Sequence, residues 1–228
     1  MIISHRYGFI FVKTKKTAGT SIEVFLSPRC GEQDVVTPIW PHVDGHTPRN
    51  HKGIWNPLRE LAGSRGRARM RALHDLARMN RFYNHIPART IRWRVPTEVW
   101  NGYFKFCVER NPWDKTLSHY HMTNDRAGGE MSFEAYLAKG SYCINHPRYT
   151  DDDGNIIVDR IIKYETLSEE LSEVFGSLGI PFEGSLGVRA KSTSRKDPRP
   201  YQEVLSDGER KTIEEAFARE VKLHGYRF

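Results

Sequence analysis

The sequence is poor in cysteine and has neither a long apolar run nor a short repeat. Its three cysteines, Cys30, Cys107 and Cys143, stand among 228 residues; this small odd number excludes a disulfide framework and favours a reducing, cytoplasmic environment. The longest apolar run, around residues 8–12, is far below the ~20 residues of a membrane-spanning helix. No long apolar stretch follows a basic start at the N-terminus, so we predict neither a membrane span nor a secretory signal.

What the sequence does contain is an excess of positive charge. It has 35 Lys and Arg against 28 Asp and Glu, a formal net charge of +7 at pH 7, and 38% apolar residues. The chain is too apolar and too aromatic to be disordered, and its length predicts one domain or two. A basic balance favours anionic partners, such as a nucleotide, a charged sugar, a nucleic acid or a membrane surface.

Three apolar segments of strand length are followed by polar loops and helical patterns. They span residues 7–12, 103–108 and 160–165. Strands that alternate with helices predict an α/β fold around a central, mainly parallel sheet.

Local signals mark the starts of three helices. Asn111 is a favoured N-cap residue, and the proline after it suits the first helical position. Thr166-x-x-Glu169 and Ser206-x-x-Glu209 match the capping box. We therefore predict that helices begin at these three places.

The segment from residue 29 to residue 96 is poorly patterned and basic. Ten arginines fall within residues 59–94, and we predict one amphipathic helix over residues 68–81. The apolar residues that share one face of this helix are Met70, Leu73 and Ala77.

A loop that ends one strand and opens a helix is a natural anion-binding site, because its N–H groups and the helix dipole both favour phosphate. Residues 13–21 form such a loop, in which glycine permits close approach, hydroxyls donate hydrogen bonds and lysine supplies charge. The suitable residues are Lys15, Lys16, Thr17, Gly19, Thr20 and Ser21. The Walker A pattern G-x-x-x-x-G-K-[ST] is absent, and a solvated turn is an equal alternative for this stretch alone.

A second candidate segment follows the second predicted strand. Arg110 ends that strand, where its guanidinium can fork onto a phosphate. Ser118 can add a hydroxyl donor from the helix that follows. The alternative is a capped helix with a surface arginine.

Together these two segments resemble the sulfotransferases, in particular their carbohydrate (heparan-type) branch. Phe11-Val-Lys-Thr-Lys-Lys-Thr-Ala-Gly-Thr-Ser-Ile22 is similar to the 5′-phosphosulfate loop, usually P-K-T-A-G-T-S, and Arg110-Asn-Pro-Trp-Asp-Lys-Thr-Leu-Ser118 to the 3′-phosphate motif R-N-P-x-D-R-x-x-S. Lys15 replaces the usual proline, which predicts a looser loop, and Lys115 replaces the usual arginine. The segments Glu165-Thr-Leu and Gly225-Tyr-Arg-Phe also resemble the family's carboxyl-terminal half.

The resemblance implies a P-loop-NTPase-like, three-layer α/β sandwich that forms one domain over residues 1–228, with a variable Arg- and His-rich insertion on the acceptor side at about residues 29–96. It also implies in-line transfer of a sulfuryl group from 3′-phosphoadenosine 5′-phosphosulfate (PAPS) to a hydroxyl or an amine, with adenosine 3′,5′-bisphosphate (PAP) as the product. No metal is expected, because protein cations meet the charge of the donor. A small molecule or a glycan would be the acceptor. From their charge alone, the arginines of residues 59–94 would suit an anionic acceptor, and a solvated helix face with arginines paired to acids is an equal alternative.

The resemblance assigns roles to individual residues. Lys16 would stabilise the leaving group. The 5′-phosphate would be wrapped by Lys15, Lys16, Thr17, Ala18, Gly19, Thr20 and Ser21. The 3′-phosphate would be held by Arg110 and Ser118, with Arg195 and Lys196 closing over it. The candidates for the base that takes the acceptor's proton are His85 and, as alternatives, His42, His46 and His51.

Two other classes of function stay open at this point. A P-loop-type small-molecule kinase would account for the first loop and the basic charge, but not for Arg110 and Ser118, and no clear metal-binding acid is visible. A basic nucleic-acid-binding protein would account for the charge. The sequence contains no zinc finger, RNP-like strand or heptad pattern, so we expect no nucleic-acid partner. The acceptor and the oligomeric state are left open.

Overall fold

The computed structural model describes residues 1–187 and 199–228 and has a five-stranded sheet at its centre. The strands are β1 (Ile2–Ser4), β2 (Phe9–Phe11), β3 (Val35–Val36), β4 (Phe104–Glu109) and β5 (Arg160–Lys163). Their order across the sheet is β3-β1-β2-β4-β5. The three predicted strands are therefore present, as β2, β4 and β5.

The sheet is mixed rather than mainly parallel. β4 pairs in parallel with β2 and with β5, whereas β1 pairs in antiparallel fashion with β2 and with β3. In this register Phe11 lies opposite Ile2 on one side and Phe106 on the other. The antiparallel half has a local cause: only residues 5–8 join β1 to β2, and so short a connection can join only antiparallel strands.

Twelve α-helices are present among the described residues. They are α1 (Gly19–Leu26), α2 (Leu58–Gly63), α3 (Gly66–Ala77), α4 (Ala88–Arg94), α5 (Thr97–Gly102), α6 (Pro112–Arg126), α7 (Phe133–Ala138), α8 (His146–Tyr149), α9 (Leu167–Ser177), α10 (Tyr201–Val204), α11 (Asp207–Ala216) and α12 (Ala218–His224). No helix in this part of the chain is both long and apolar enough to span a membrane. Segment 29–96 supplies β3 as well as α2, α3 and α4, so part of it belongs to the sheet.

Helices cover both faces of the sheet, because alternate residues of its strands point to opposite sides. Phe11 and Phe106 pack with α1 and α9 on one face, whereas Ile10 and Cys107 pack with α4, α5 and α8 on the other. A third core joins α6, α7 and α11 around Trp113. The predicted α/β class is therefore confirmed.

All three predicted helix starts are confirmed, but one of the two predicted capping boxes is wrong. The Asn111 side chain accepts hydrogen bonds from two N–H groups in the first turn of α6, and Ser206 with Glu209 forms the capping box of α11. The predicted capping box at Thr166 does not form, because a 3₁₀ turn leads into α9. The Thr166 hydroxyl donates instead to Glu170 Oε1 at 2.9 Å.

The apolar face predicted for the Arg-rich helix, which is α3, is not buried. Met70 and Leu73 are 67% and 44% exposed. The buried face of α3 contains Asp75 instead, whose Oδ2 lies 3.0 Å from Nη2 of the buried Arg94. A buried ion pair therefore orients this helix, and the periodicity of apolar residues could not indicate it.

Candidate active site

Both candidate segments lie at the carboxyl ends of adjacent parallel strands, β2 and β4, which is where open α/β sheets commonly bind ligands. In the first segment, Lys16 and Ala18 adopt left-handed backbone conformations with φ of 61° and 58°, which side-chain-bearing residues rarely adopt. Gly19 begins α1 where the Lys13 side chain passes: a Cβ at residue 19 would lie 2.8 Å from Lys13 Cγ. These features fold residues 15–19 into a tight turn at the start of the helix.

Hydroxyl groups fasten this turn to the neighbouring strand. Thr14 Oγ1 donates to the carbonyl of Val108 at the end of β4 and lies 2.7 Å from Thr17 Oγ1. The hydroxyl of Thr17, which is itself buried, is thus used inside the turn. What Thr17 can offer to a ligand is its backbone N–H.

The positive charge of the first segment comes from two of its three lysines. Lys13 is buried and paired with Glu23, with 2.5 Å between Nζ and Oε2, whereas Lys15 and Lys16 are half-buried. No side chain among the described residues caps the N-terminus of α1. The dipole of α1 therefore adds to the charges of Lys15 and Lys16, and the combination attracts anions.

Asn145 holds the backbone of Lys15 by two hydrogen bonds. Its Oδ1 accepts from the Lys15 N–H at 2.9 Å, and its Nδ2 donates to the Lys15 carbonyl at 3.0 Å. Proline, the usual residue at this position in the sulfotransferase loop, has no N–H to donate. Asn145 thus restrains the loop at Lys15, where the replacement of proline had predicted a looser loop.

Arg110 joins the two segments. Its Nη1 donates to the Lys16 carbonyl at 3.2 Å, while Nε and Nη2 donate to Asp114 Oδ2 at 2.9 and 2.6 Å. Its guanidinium carbon lies 4.2 Å from the centre of the Tyr164 ring. Among the described residues these contacts use three of its five N–H donors, which leaves two for an anion.

Ser118 lies on α6, beside the ion pair that Arg110 forms with Asp114. It is half-buried and follows Asp114 by four residues, so the two side chains are neighbours on one face of the helix. Asp114 is the residue that Arg110 contacts. Ser118 and Arg110 therefore belong to the same side of α6.

A buried ion pair lies directly behind both segments. Glu109 and Lys115 are both fully buried, with 2.7 Å between Oε1 and Nζ. The same oxygen accepts from the Arg110 N–H at 2.9 Å and from Asn145 Nδ2 at 3.2 Å. One carboxylate thus fixes the backbone at Arg110 and the side chain that holds Lys15. Neither Glu109 nor Asn145 was predicted from the sequence as a site residue, and Lys115 was predicted only to replace an arginine.

His85 lies against the first strand–loop junction. Its Nδ1 is 3.2 Å from the Lys13 carbonyl; because a carbonyl only accepts, Nδ1 carries the proton and Nε2 keeps its lone pair. Burial, followed by the charges of Lys13 and Arg148, lowers the pKa of His85 to about 2. Its φ of 59° is also left-handed, and strain of this kind clusters at functional sites.

The alternative histidines differ in their surroundings. His42 is exposed, whereas burial lowers the pKa of His46 to about 4 and also lowers the pKa of His51. One buried ring nitrogen of His46 and one of His51 have no hydrogen-bond partner among the described residues. Both rings are therefore neutral at neutral pH.

His119, which was not among the predicted site residues, lies close enough to the lysines of the first segment to interact with them electrostatically. It follows Ser118 directly, and its Nδ1 lies 2.8 Å from the Tyr136 hydroxyl. Burial and then the charges of Lys16 and Lys15 lower the pKa of His119 to about 4. Because His119 directly follows Ser118, a predicted site residue, its position in the sequence could have indicated that it belongs to the site.

Two predicted site residues lie outside the described part of the chain, namely Arg195 and Lys196. Within residues 1–187 and 199–228, no group of three or more His, Cys, Asp or Glu side chains is arranged to hold a metal ion. The site described above consists of cations, hydroxyls, backbone N–H groups and histidines, supported by the carboxylates of Asp114 and Glu109 and the amide of Asn145.

Comparison by sequence identifies a relative of this chain. No model of a known protein family matches the sequence. An uncharacterized protein of Archaeoglobus fulgidus is 37% identical over 125 residues, which are 53% of this chain and 100% of the relative.

Solved structures with a similar backbone include two sulfotransferases. Mouse sulfotransferase SULT7A1 in complex with PAP matches 96% of this chain and 86% of its own, with a TM-score of 0.49 and 14% identity. A sulfotransferase from Alicyclobacillus acidocaldarius matches 97% of this chain and 96% of its own, with a TM-score of 0.44 and 19% identity. At these scores and identities the likeness assigns neither an activity nor a residue to this chain.

Proposed function

We propose that this chain, which belongs to the same family as the Archaeoglobus fulgidus protein, is a sulfotransferase that uses PAPS as its donor. The contact between Arg110 Nη1 and the Lys16 carbonyl is the observation that supports this most directly. It joins a loop suited to a 5′-phosphosulfate to an arginine suited to a 3′-phosphate. A nucleotide that carries an anionic group at both of these positions fits such a joined site.

In this proposal the donor lies across both segments. The 5′-phosphosulfate occupies the turn of residues 15–19, at the N-terminus of α1 and beside Lys15 and Lys16. The 3′-phosphate takes the two remaining N–H donors of Arg110 and the hydroxyl of Ser118. No residue of the described site requires a metal for these contacts, because the cations are supplied by side chains.

The reaction is an in-line transfer. A lone pair of the acceptor oxygen or nitrogen attacks sulfur while the bond from sulfur to the bridging oxygen breaks, and PAP leaves with that electron pair. Negative charge grows on the bridging oxygen, where the Lys16 ammonium stabilises it. His85 Nε2 takes the acceptor's proton. A small-molecule or glycan hydroxyl or amine is the acceptor, and the buried free thiols fit action in the cytoplasm.

The role of His85 predicts a loss of rate without a loss of donor binding. Part of its low pKa comes from Lys13 and Arg148, so an anionic donor would raise that pKa toward a useful value. We expect His85→Gln to lower the rate of PAP release from PAPS, with a mixture of alcohols and amines as acceptors, roughly hundredfold, with PAP affinity unchanged. His119→Gln is the comparison: if it alone has this effect, the base is His119.

Donor binding is tested by thermal unfolding of the whole chain with nucleotides. PAP at about a hundredfold excess over its dissociation constant adds roughly 2.7 kcal/mol, which raises the melting temperature by about 5–11 °C for a chain of this size. We expect Arg110→Ala to weaken PAP binding roughly 10–100-fold, and Arg126→Ala, at the other end of α6, to leave it unchanged.

The same titration distinguishes the other two classes of function. A kinase would be stabilised more by ATP with magnesium than by PAP. A nucleic-acid-binding protein would respond to oligonucleotides, with a strong dependence on salt. Either result, with no shift from PAP, would contradict the proposal.

A further inference from the structure

We propose that α3 and the residues just after it form a surface that binds anionic lipid bilayers. Met70, Leu73 and Ala77 recur at helical spacing on one face of α3 and are all exposed. Residues 70 and 75 are separated by about 140° around the helix at 100° per residue, and Asp75 points into the protein. The apolar stripe therefore faces away from the core.

The apolar stripe continues past the end of the helix. Met79 is exposed, and its carbonyl accepts from the Gly53 N–H at 2.8 Å. This bond brings the exposed Ile54, the next residue after Gly53, to the end of α3. We call the exposed stripe with its flanking arginines the α3 surface; its apolar residues are Met70, Leu73, Ala77, Met79 and Ile54.

Arginines border the stripe on both sides. Around the helix, Arg67 and Arg71 follow Met70 on one side, and Arg69 lies next to Leu73 on the other. Arg65 and Arg78 extend the charge beyond the two helix ends, and neither they nor Arg67 form an ion pair within residues 1–187 and 199–228. Arg65, Arg67 and Arg78 thus keep their charge available for a partner, whereas Arg71 Nε lies 3.6 Å from Asp75 Oδ1.

The surface also lacks negative charge. No Asp or Glu occurs in residues 61–74, and the acids at the two ends of that stretch, Glu60 and Asp75, are buried against Arg94. A helix with an apolar stripe between arginines can lie in the headgroup region of a membrane, with its apolar residues inserted and its guanidinium groups at the phosphates.

This combination favours a bilayer over two other occupants. An anionic polymer such as a glycan would use the arginines but not the exposed Met70 and Leu73. A second copy of this chain would bring two sets of arginines together, and like charges repel. An anionic bilayer offers phosphate groups to the arginines and an apolar interior to the stripe.

Co-sedimentation of the full chain with lipid vesicles tests this proposal. We expect binding to vesicles of phosphatidylcholine with phosphatidylglycerol, weaker binding at high salt, and none to phosphatidylcholine alone. Arg67→Gln with Arg78→Gln should lower the partition coefficient roughly thirtyfold, and Leu73→Glu roughly tenfold or more. Leu223→Glu is the matched control, because Leu223 is 43% exposed, as Leu73 is 44%.

Four results would overturn the proposal. The wild-type chain could stay in the supernatant with anionic vesicles, or Leu73→Glu could bind as well as the wild type. Binding to a heparin column that needs Arg67 and Arg78, without vesicle binding, would identify a polyanion site. Light scattering that shows a dimer dissociated by Leu73→Glu would identify a second copy. Circular dichroism checks that every variant is folded, and none of these outcomes depends on donor binding.

Discussion

Replacing Lys16 with alanine is expected to lower the rate of sulfuryl transfer by roughly 10²–10³-fold. Removal of one preorganised donor to a developing oxyanion has this effect in other enzymes. The backbone of Lys16 is held in position before any substrate binds, because it adopts a left-handed conformation and its carbonyl accepts a hydrogen bond from Arg110 Nη1. PAP release from PAPS measures the rate, and calorimetric titration with PAP measures donor binding separately.

Two control variants accompany Lys16→Ala: one changes the neighbouring lysine, and the other changes the backbone preference at residue 16. Lys15→Ala removes a charge from a similarly half-buried lysine, and we expect it to lower affinity more than rate. Lys16→Gly suits the positive φ better than alanine does, so it shows whether any loss comes from backbone strain. A rate that stays within about threefold of the wild type in Lys16→Ala and Lys16→Gly would remove Lys16 from the mechanism, because the loss expected is far larger.

Replacing Glu109 with glutamine is expected to destabilise the protein by roughly 3–5 kcal/mol, because it leaves the buried ammonium of Lys115 without its counter-charge. At this size the melting temperature should fall by roughly 6–20 °C. The same change weakens the support of Arg110 and Asn145, which share the Glu109 oxygen. We therefore expect PAP affinity to fall as well. Thermal unfolding with and without PAP measures both effects.

The matched variants separate the ion pair from a general loss of charge. Glu109→Gln combined with Lys115→Met removes both buried charges and should recover most of the stability. Glu173→Gln breaks an exposed contact with Arg160 and should cost less than about 1 kcal/mol. If Glu109→Gln is no more destabilising than Glu173→Gln, the buried pair does not support the site.

Features of the fold that depend on a few neighbouring residues were predictable from the sequence. The Asn111 side chain caps α6 through bonds to N–H groups two and three residues later, and the Ser206 capping box spans four residues. The strand–loop–helix of the first segment was likewise visible in one stretch of sequence. In each case the interacting groups are close in the chain, so the residue pattern carries the information.

Features that depend on distant residues were not predictable. Asn145 and Lys15 are 130 residues apart, and an asparagine before a short helix gives no sign of its partner. β1 and β3 have three and two residues, too few for a periodic pattern to emerge. The orientation of α3 depends on Arg94 and Asp75, whose pairing overrides the apolar periodicity of the helix itself.

The central claim is that the two segments form a single site that recognises a nucleotide by its 3′-phosphate. Calorimetric titration of the wild-type chain with PAP and, separately, with adenosine 5′-phosphate tests it most directly, because the two ligands differ only in that phosphate. The contacts assigned to Arg110 and Ser118 predict that PAP binds at least roughly tenfold more tightly. Equal affinities, or no heat of binding with PAP, would contradict the claim.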